Sequence, residues 1–240
     1  MEISPRPLAL YIRIREKLMR EIAAGHWKDG ERFPTEQELS QSLQVAVGTL
    51  RKAVAGLVEL GYLVRRQGSG TYVSRPERVS AANKSVYEFF HLELRSGGGL
   101  PGAVMLALDR LPHPAAIPAF AGHKRSQCYR VRRLRLLDAV PVALEEIWFD
   151  SRHRRGLKAQ DLGEALYHFY ENRLGFWIAN VADSVSAGPV PAWAPGNFHL
   201  QPGEVCGLVQ RRAFAANAQL EEYSTTWFNQ DTAHYSARWP

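Results

Sequence analysis

The stretch Tyr62-Leu-Val-Arg-Arg-Gln-Gly-Ser-Gly-Thr-Tyr-Val73 sets two glycines and two arginines between two apolar, aromatic runs. Tyr62 to Arg66 and Thr71 to Val73 read as short strands, joined by Gln67-Gly68-Ser69-Gly70 in a hairpin whose glycines supply positive φ. A glycine turn beside positive charge suits phosphate. A nucleotide-cradling loop follows a strand and opens a helix, whereas this one runs from strand into strand. That leaves a metabolite's phosphate or a nucleic-acid backbone, either of which the glycines let the main chain approach closely. Arg66, beside the turn, is the better candidate to meet it. Arg65, one residue away on the opposite face, ranks below it.

Upstream, Tyr11, Ile14, Leu18 and Ile22 recur at steps of three and four, one buried helical stripe closed by Gly25. The turn-rich segment from Gly25 to Pro34 reads as a loop anchored by Trp27 and Phe33. Thr35 and Glu38 form a capping box, starting a second helix that turns Leu39 and Leu43 inward. After a tight connection at Gln44-Val45-Ala46, a third helix runs from about Val47 to Leu60, buries Leu50, Val54 and Leu57, and is closed by Gly61. Its other face offers Thr49, Arg51 and Lys52 near the N-terminus. Two short helices with a tight connection form a helix-turn-helix, and the hairpin makes it winged.

In this region the chain resembles the DNA-binding domain of the GntR superfamily of bacterial transcription regulators. The matching blocks are Gly30-Glu-Arg-Phe-Pro-Thr-Glu-Gln-Glu-Leu39, Gly48-Thr-Leu-Arg-Lys-Ala-Val54, Leu60-Gly-Tyr-Leu63 and Arg66-Gln-Gly-Ser-Gly-Thr-Tyr-Val73. The resemblance implies that the third helix enters the major groove N-terminus first. Thr49, Arg51, Lys52, Arg66 and the loop residues Gln67, Gly68, Ser69 and Gly70 are then DNA-contact candidates. Arg32 and Gln37 rank below them, and a solvated loop arginine is an equal reading of Arg32. Many members have Ser-Arg where this chain has Ala46-Val47. Losing the serine removes a helix cap worth roughly 0.5–2 kcal/mol, and losing the arginine implies a different operator preference.

At 240 residues, 45% hydrophobic and 22% charged, the chain has material for two globular domains. The formal charge is +6, which favours a polyanionic partner. Residues 1–75 hold 12 Lys and Arg against 8 Asp and Glu, and the remainder 18 against 16, so the excess leans to the N-terminal third. No apolar run is long enough to span a bilayer and no export signal is visible, so a cytoplasmic protein is expected. Cys128 and Cys206 form no C-x-x-C and are expected to be reduced thiols.

The expected domains are 1–75, a linker at 76–84, and 85–240. Beyond the linker the pattern turns strand-like. Cys128 to Leu137, turned back over Asp138 to Pro141, pairs with Val142 to Phe149. Leu162 to Glu171 reads as a short helix with Leu162, Leu166, Phe169 and Tyr170 inward, and strands follow at 176–186, 204–214 and 220–228. The fold class is α+β: a winged helix-turn-helix followed by a domain built on an antiparallel sheet. Gly97-Gly-Gly99 reads as a turn and Arg152-His-Arg-Arg155 as a solvated loop.

This order resembles the UTRA domain, the effector-binding module of the HutC subfamily. The marks are Arg132-Arg-Leu-Arg135, Pro141-Val-Ala-Leu-Glu145, Asp161-Leu162 with Ala165-Leu-Tyr167, Gln210-Arg-Arg212, and Glu222-Tyr-Ser224 with Asp231. The resemblance implies a chorismate-lyase-like fold used for sensing, and it nominates Arg133, Arg135, Glu145, Tyr167 and Glu222 as effector-binding residues. Arginines grip a carboxylate or phosphate bidentately, and glutamates hold amines or hydroxyls. Arg133 and Arg135 share one strand face, with Arg130 and Arg132 on the other, more solvated one. A surface strand with alternating arginines is the competing reading. Ala165, Thr225 and Phe228 replace a serine, an arginine and a tyrosine common in the subfamily. With Trp148, Phe176, Trp177 and Trp227 nearby in sequence, they favour a less polar or aromatic anionic effector over a phosphosugar.

No H-E-x-x-H, G-x-S-x-G, phosphate-loop or dinucleotide motif is present, and the eight histidines lack ligand spacing, so neither metal nor cofactor is expected. The whole reads as a transcription regulator, a repressor that binds an inverted repeat as a homodimer and responds to a small anionic metabolite. An enzyme of the same C-terminal fold and an effector-independent DNA-binding protein are the alternatives.

Overall fold

A computed structural model describes residues 10–23, 25–59, 61–74, 92–97, 100–120, 127–162 and 166–236. The chain divides into two compact units, one built from described residues up to 74 and the other from 92 onward. The 76–84 linker expected from the sequence lies outside the described residues.

The first unit holds helices α1 (Leu10–Ala23), α2 (Glu36–Leu43) and α3 (Val47–Glu59) and strands β1 (Leu63–Arg66) and β2 (Gly70–Val73). The α1 stripe is buried through Ile14, Leu18 and Ile22, joined by Met19, and Gly25 leaves the helix at φ +79°. Thr35 and Glu38 make the reciprocal capping box: Thr35 N–H donates to Glu38 Oε2 at 2.7 Å, and Glu38 N–H donates to Thr35 Oγ1 at 3.2 Å. Leu39 is buried but Leu43 only half so. Gln44, at φ 52°, turns the chain between α2 and α3. Ala46 caps nothing with its side chain; its carbonyl accepts from the amides of Thr49 and Leu50. Leu50, Ala53, Val54, Gly56 and Leu57 form the inner face of α3.

The hairpin pairs Leu63 with Val73 and Arg66 with Gly70, with Gly68 and Gly70 at φ +71° and +124°. The loop before α2 lies alongside β2, since Gly30 and Phe33 donate to the carbonyls of Val73 and Thr71. That extended contact packs Trp27 edge-on to the buried Phe33, with ring centroids 4.9 Å apart. It also brings Arg32 against the hairpin.

The strands of the second unit are β3 (Leu92–Leu94), β4 (Pro101–Pro112), β5 (Gln127–Leu137), β6 (Val140–Asp150), β7 (Ile178–Pro189), β8 (Val205–Ala215), β9 (Leu220–Phe228) and β10 (Ala233–Tyr235). Six of them form an antiparallel sheet in the order β4-β5-β6-β9-β8-β7, and β3 and β10 pair separately. The sequence assigned nothing to β3, β4 or β10. β4 begins and ends in proline and has a register shift between Met105 and Ala107, features tolerated because it is an edge strand. The β5–β6 turn is shorter than expected. Only Asp138 and Ala139 form it, both at positive φ, and Pro141 is already paired with Leu136.

One sheet face carries Tyr129, Arg133, Glu145, Phe149, Glu222 and Arg211, as their cross-strand pairing and alternation require. It is covered by α4 (Leu166–Phe169), which continues as a wider π turn over Tyr170–Leu174. Leu162, Leu166, Phe169 and Tyr170 are all buried there, as the helical pattern required. The opposite face is covered at one end by Val190 and Phe198 on Leu134, Leu144 and Cys206, and at the other by Phe120 on Cys128 and Trp148.

Gly207 faces Phe228 across β8 and β9, and a Cβ there would lie 2.1 Å from the ring. Gly207→Ala is expected to destabilise the second unit by about 1–3 kcal/mol through overpacking, as read by urea denaturation. Gly196→Ala, which meets nothing within 4 Å, provides the neutral control.

Candidate DNA-contact surface and effector site

The first half of α3 presents Thr49, Arg51 and Lys52, the last two exposed, on the side away from its buried stripe. The hairpin tip, Gln67 to Gly70, is exposed throughout. Arg66 lies over the Tyr72 ring at 4.4 Å, and the Ser69 and Tyr72 hydroxyls are 2.6 Å apart, so the tip is held by its own side chains. Arg32 reaches the same tip: a Cβ on Gly70 would lie 3.2 Å from its Nε. A cleft of about 390 Å³ separates the start of α2, the outer side of α3 and the hairpin, lined in part by Arg32, Gln37, Arg51 and Gly70. Thr49, Lys52, Arg66 and Gln67 to Ser69 lie outside that lining. Arg65, ranked below Arg66 from sequence, is part of it.

In the second unit, Arg133 donates to Glu145 Oε2 through Nε at 3.0 Å and Nη2 at 2.6 Å, and Arg135 Nη1 lies 3.7 Å from the same oxygen. Arg133 is only 4% exposed, so the surface-strand reading of these arginines falls. Glu222, 2% exposed, accepts from Tyr167 Oη at 3.2 Å and Tyr170 Oη at 2.7 Å. All five nominated residues belong to one sheet face and the helix that covers it.

Other members of this network were not nominated. Arg211 grips Asp183 with two hydrogen bonds of 2.7 and 2.6 Å and also bonds the Tyr167 hydroxyl. Tyr235 donates to Asp183 Oδ2 at 2.6 Å. The signal was present in Gln210-Arg-Arg212, but which arginine faces inward depends on the β8–β9 register, where Arg211 meets Ser224. Tyr170 was assigned to the core, and its hydroxyl is the part with a polar task.

Three expectations are corrected. Arg130 and Arg132 are half-buried and paired, the former to Asp109 at 2.7 Å and the latter to Glu146 at 2.7 Å, with Arg132 also 4.8 Å over the Trp193 ring. In the basic run, Arg152, Arg154 and Arg155 are exposed as expected, but Arg152 donates twice to Glu221 at 2.9 Å and the half-buried His153 lies 2.7 Å from it. Glu221 is 3% exposed, and a buried carboxylate requires such partners. Trp148 and Trp227 alternate onto the opposite sheet face from Glu145, and Phe228 fills the space over Gly207. Trp148 and Trp227 therefore give no support to an aromatic effector, whereas the buried Phe176 does lie beside the cluster, stacked on Tyr170 at 5.0 Å. Ala165 lies outside the described residues.

A winged helix-turn-helix joined to a sheet domain with a buried, charge-paired cluster defines a DNA-binding regulator with a second, sensing domain. Residues 10–73 match the gntR family of bacterial regulatory proteins and residues 96–234 the UTRA domain. The chain is 42% identical over 231 residues to the HTH-type transcriptional regulator SmoD of Agrobacterium fabrum (strain C58), across 96% of each chain. It is 32% identical over 230 residues to the mannosyl-D-glycerate transport/metabolism system repressor MngR of Escherichia coli (strain K12), across 92% of each. The crystal structure of PhnF from Mycobacterium smegmatis, 21% identical, shares the fold with a TM-score of 0.52 over 95% of this chain and 99% of that one. The chain belongs to the GntR family, in its UTRA-bearing HutC branch. It is a transcription regulator whose second domain is of the effector-binding kind.

The two central carboxylates are tuned in opposite directions. Burial pushes Glu145 up, but Arg133 and Arg135 together outweigh it and hold the carboxyl below its ordinary value. Burial also pushes Glu222 up, and the Tyr170 hydrogen bond, Arg211 and Arg133 only partly offset it, so the net shift is upward. The stability due to Glu145 is present above the ordinary value of 4.5 and is lost as pH falls through its lowered one. For Glu222 the sign reverses: its contribution is fullest below 4.5 and declines as pH rises through its raised value. Glu222→Gln is expected to remove that decline. The variant-minus-wild-type stability, measured by chemical denaturation, should move in the variant's favour above pH 4.5 and stay flat below it.

Proposed function

We propose that this chain is a cytoplasmic repressor, not an enzyme, which binds an inverted-repeat operator as a homodimer and is controlled by a small metabolite bound at the Arg133–Glu145–Glu222 cluster. The observation that carries the DNA half is Arg51: it stands on the exposed side of α3, 68% solvent-accessible, on a cleft that also reaches Arg32 and the hairpin. Helix N-termini and arginines together suit phosphate and guanine edges. Thr49, Lys52, Arg66, Gln37 and the tip Gln67 to Gly70 complete the proposed contact set. A two-fold dimer presents two such helices to half-sites spaced by its axis.

For the effector, Arg133 and Arg135 stand with Glu145 and Glu222 on one sheet face under the covering helix. Two arginines grouped in this way suit an anionic group on the ligand, a carboxylate or phosphate. Glu145, Glu222 and Tyr167 suit hydroxyls or an amine beside it. Mannosyl-D-glycerate, named in the MngR relative, has this chemistry: a sugar that carries a carboxylate. A polar carbohydrate acid or ester therefore fits better than an aromatic anion. Effector binding would favour one dimer arrangement over another and so change the match to half-site spacing.

Selection from a randomised duplex pool by the full chain supplies an operator sequence. On that duplex, Arg51→Ala is expected to cost about 1–3 kcal/mol of specific binding, measured by fluorescence anisotropy. Undiminished affinity would refute the assignment of α3. A thermal-shift panel of sugar acids and sugar phosphates is expected to yield a stabilising compound, worth about 2.7 kcal/mol at one hundred times its Kd. The same compound should alter operator affinity and lose its effect in Arg135→Met. If no compound shifts melting or DNA binding, the effector-independent reading stands; robust turnover of chorismate would instead return the chain to the enzymes.

A further inference from the structure

Glu36 stands between two arginines that belong to different elements. Its Oε2 accepts from Arg51 Nε at 3.2 Å, and its Oε1 lies 3.3 Å from Arg65 Nη2. Arg51 comes from α3 and Arg65 from β1, so one carboxylate on α2 ties the helix that presents the polar face to the hairpin. Among the residues lining this cleft it is the sole acid, set among Arg32, Arg51 and Arg65. Its position is fixed from below. Glu36 is the first residue of α2, directly after Thr35, whose capping box with Glu38 locks that turn. Its side chain is 26% exposed, against 68% for Arg51 and 53% for Arg65, so the arginines reach down to it from the solvent side.

We propose that Glu36 is a positioning and specificity-determining residue for DNA reading: it aims Arg51 and Arg65 and subtracts charge from the contact surface, trading backbone affinity for sequence discrimination. This rests on the reading of α3 and the hairpin as the DNA-contact surface. Exposed ion pairs add little to stability, so a clamp of this kind is better placed to shape recognition than to hold the fold. An unclamped arginine on a flexible stem finds phosphates at any sequence. A clamped one keeps its remaining donors pointed one way, which a guanine edge rewards and a misplaced phosphate does not. The carboxylate also repels phosphates that approach the cleft without displacing it, and it can accept from a cytosine amine.

The test uses the full chain, the duplex selected from a randomised pool, and a scrambled duplex of the same composition, with affinities measured by anisotropy from low to moderate salt. Glu36→Gln keeps the shape and removes the charge. It is expected to bind the scrambled duplex several-fold more tightly, with a log K against log salt slope steeper by about one for each added phosphate contact. Its preference for the selected duplex should fall about tenfold. A merely structural role would leave the salt slope unmoved. Unchanged slope and preference, or equal losses on both duplexes with unchanged circular dichroism, would overturn the proposal. Arg51→Ala on the same duplexes separates this from its parent: if that variant binds as wild type, the surface reading fails; if it weakens while Glu36→Gln changes nothing, only the clamp fails.

Discussion

The second unit depends on charges that have been taken out of water and must therefore be paired. Arg133 and Glu145 are direct cross-strand partners on β5 and β6, and Asp183 and Arg211 are direct partners on β7 and β8. Side chains alternate with a period of two, so a one-residue slip on either strand pair would send one member of each ion pair to the opposite face. The survivor would be a buried, uncompensated charge, a penalty of about 3–5 kcal/mol. Hydrophobic alternation already favours the observed register. The two charge pairs, one toward each edge of the sheet, make the alternatives far worse. The polar cluster is thus both the candidate ligand site and the device that fixes the strands presenting it.

The first unit solves a different problem with less material. Its core is small, and much of its exposed surface has to remain polar. Local devices carry the load: the capping box at Thr35, the left-handed Gln44 between α2 and α3, the glycine exits after α1 and α3, and a loop that hydrogen-bonds along β2. The absence of a capping serine at Ala46 is tolerated in that setting, because the carbonyl of Ala46 still accepts two amides and α3 is anchored by five buried side chains or backbone positions. Helical stability here comes from packing, not from the cap.

The sequence spoke clearly where the signal is local. Tyr11 to Ile22, Thr35 with Glu38, and the Gly68–Gly70 hairpin each carry their instruction within a few residues, and the structure holds all three. In the second unit the strands with strong alternation were readable, and so was the face shared by Arg133 and Arg135. What was hidden depends on distant partners. β4 has no alternation of its own and exists because β5 offers it an edge. Arg211 could not be told from Arg212 until the β8–β9 register was known, and the pairing of the exposed Arg152 was hidden because Glu221 lies 69 residues away. Trp148 and Trp227 misled for the same reason: nearness in sequence says nothing about which sheet face a side chain takes.

The irregularity in β9 has a mechanical meaning. Ala213 pairs with Glu222 and Phe214 with Leu220, so Glu221 is an extra residue bulged from the ladder. In a regular strand neighbouring side chains point to opposite faces, whereas here two consecutive glutamates are both buried. Glu221 fastens the loop after β6 through Arg152 and His153, and Glu222 fastens the covering helix through Tyr167 and Tyr170. The circuit closes on itself, because the His153 ring lies 4.4 Å from Phe176, which stacks on Tyr170 at 5.0 Å. Loop and helix are therefore anchored at adjacent residues, about 3.8 Å apart, so neither cover can be repacked at this end without disturbing the backbone that holds the other.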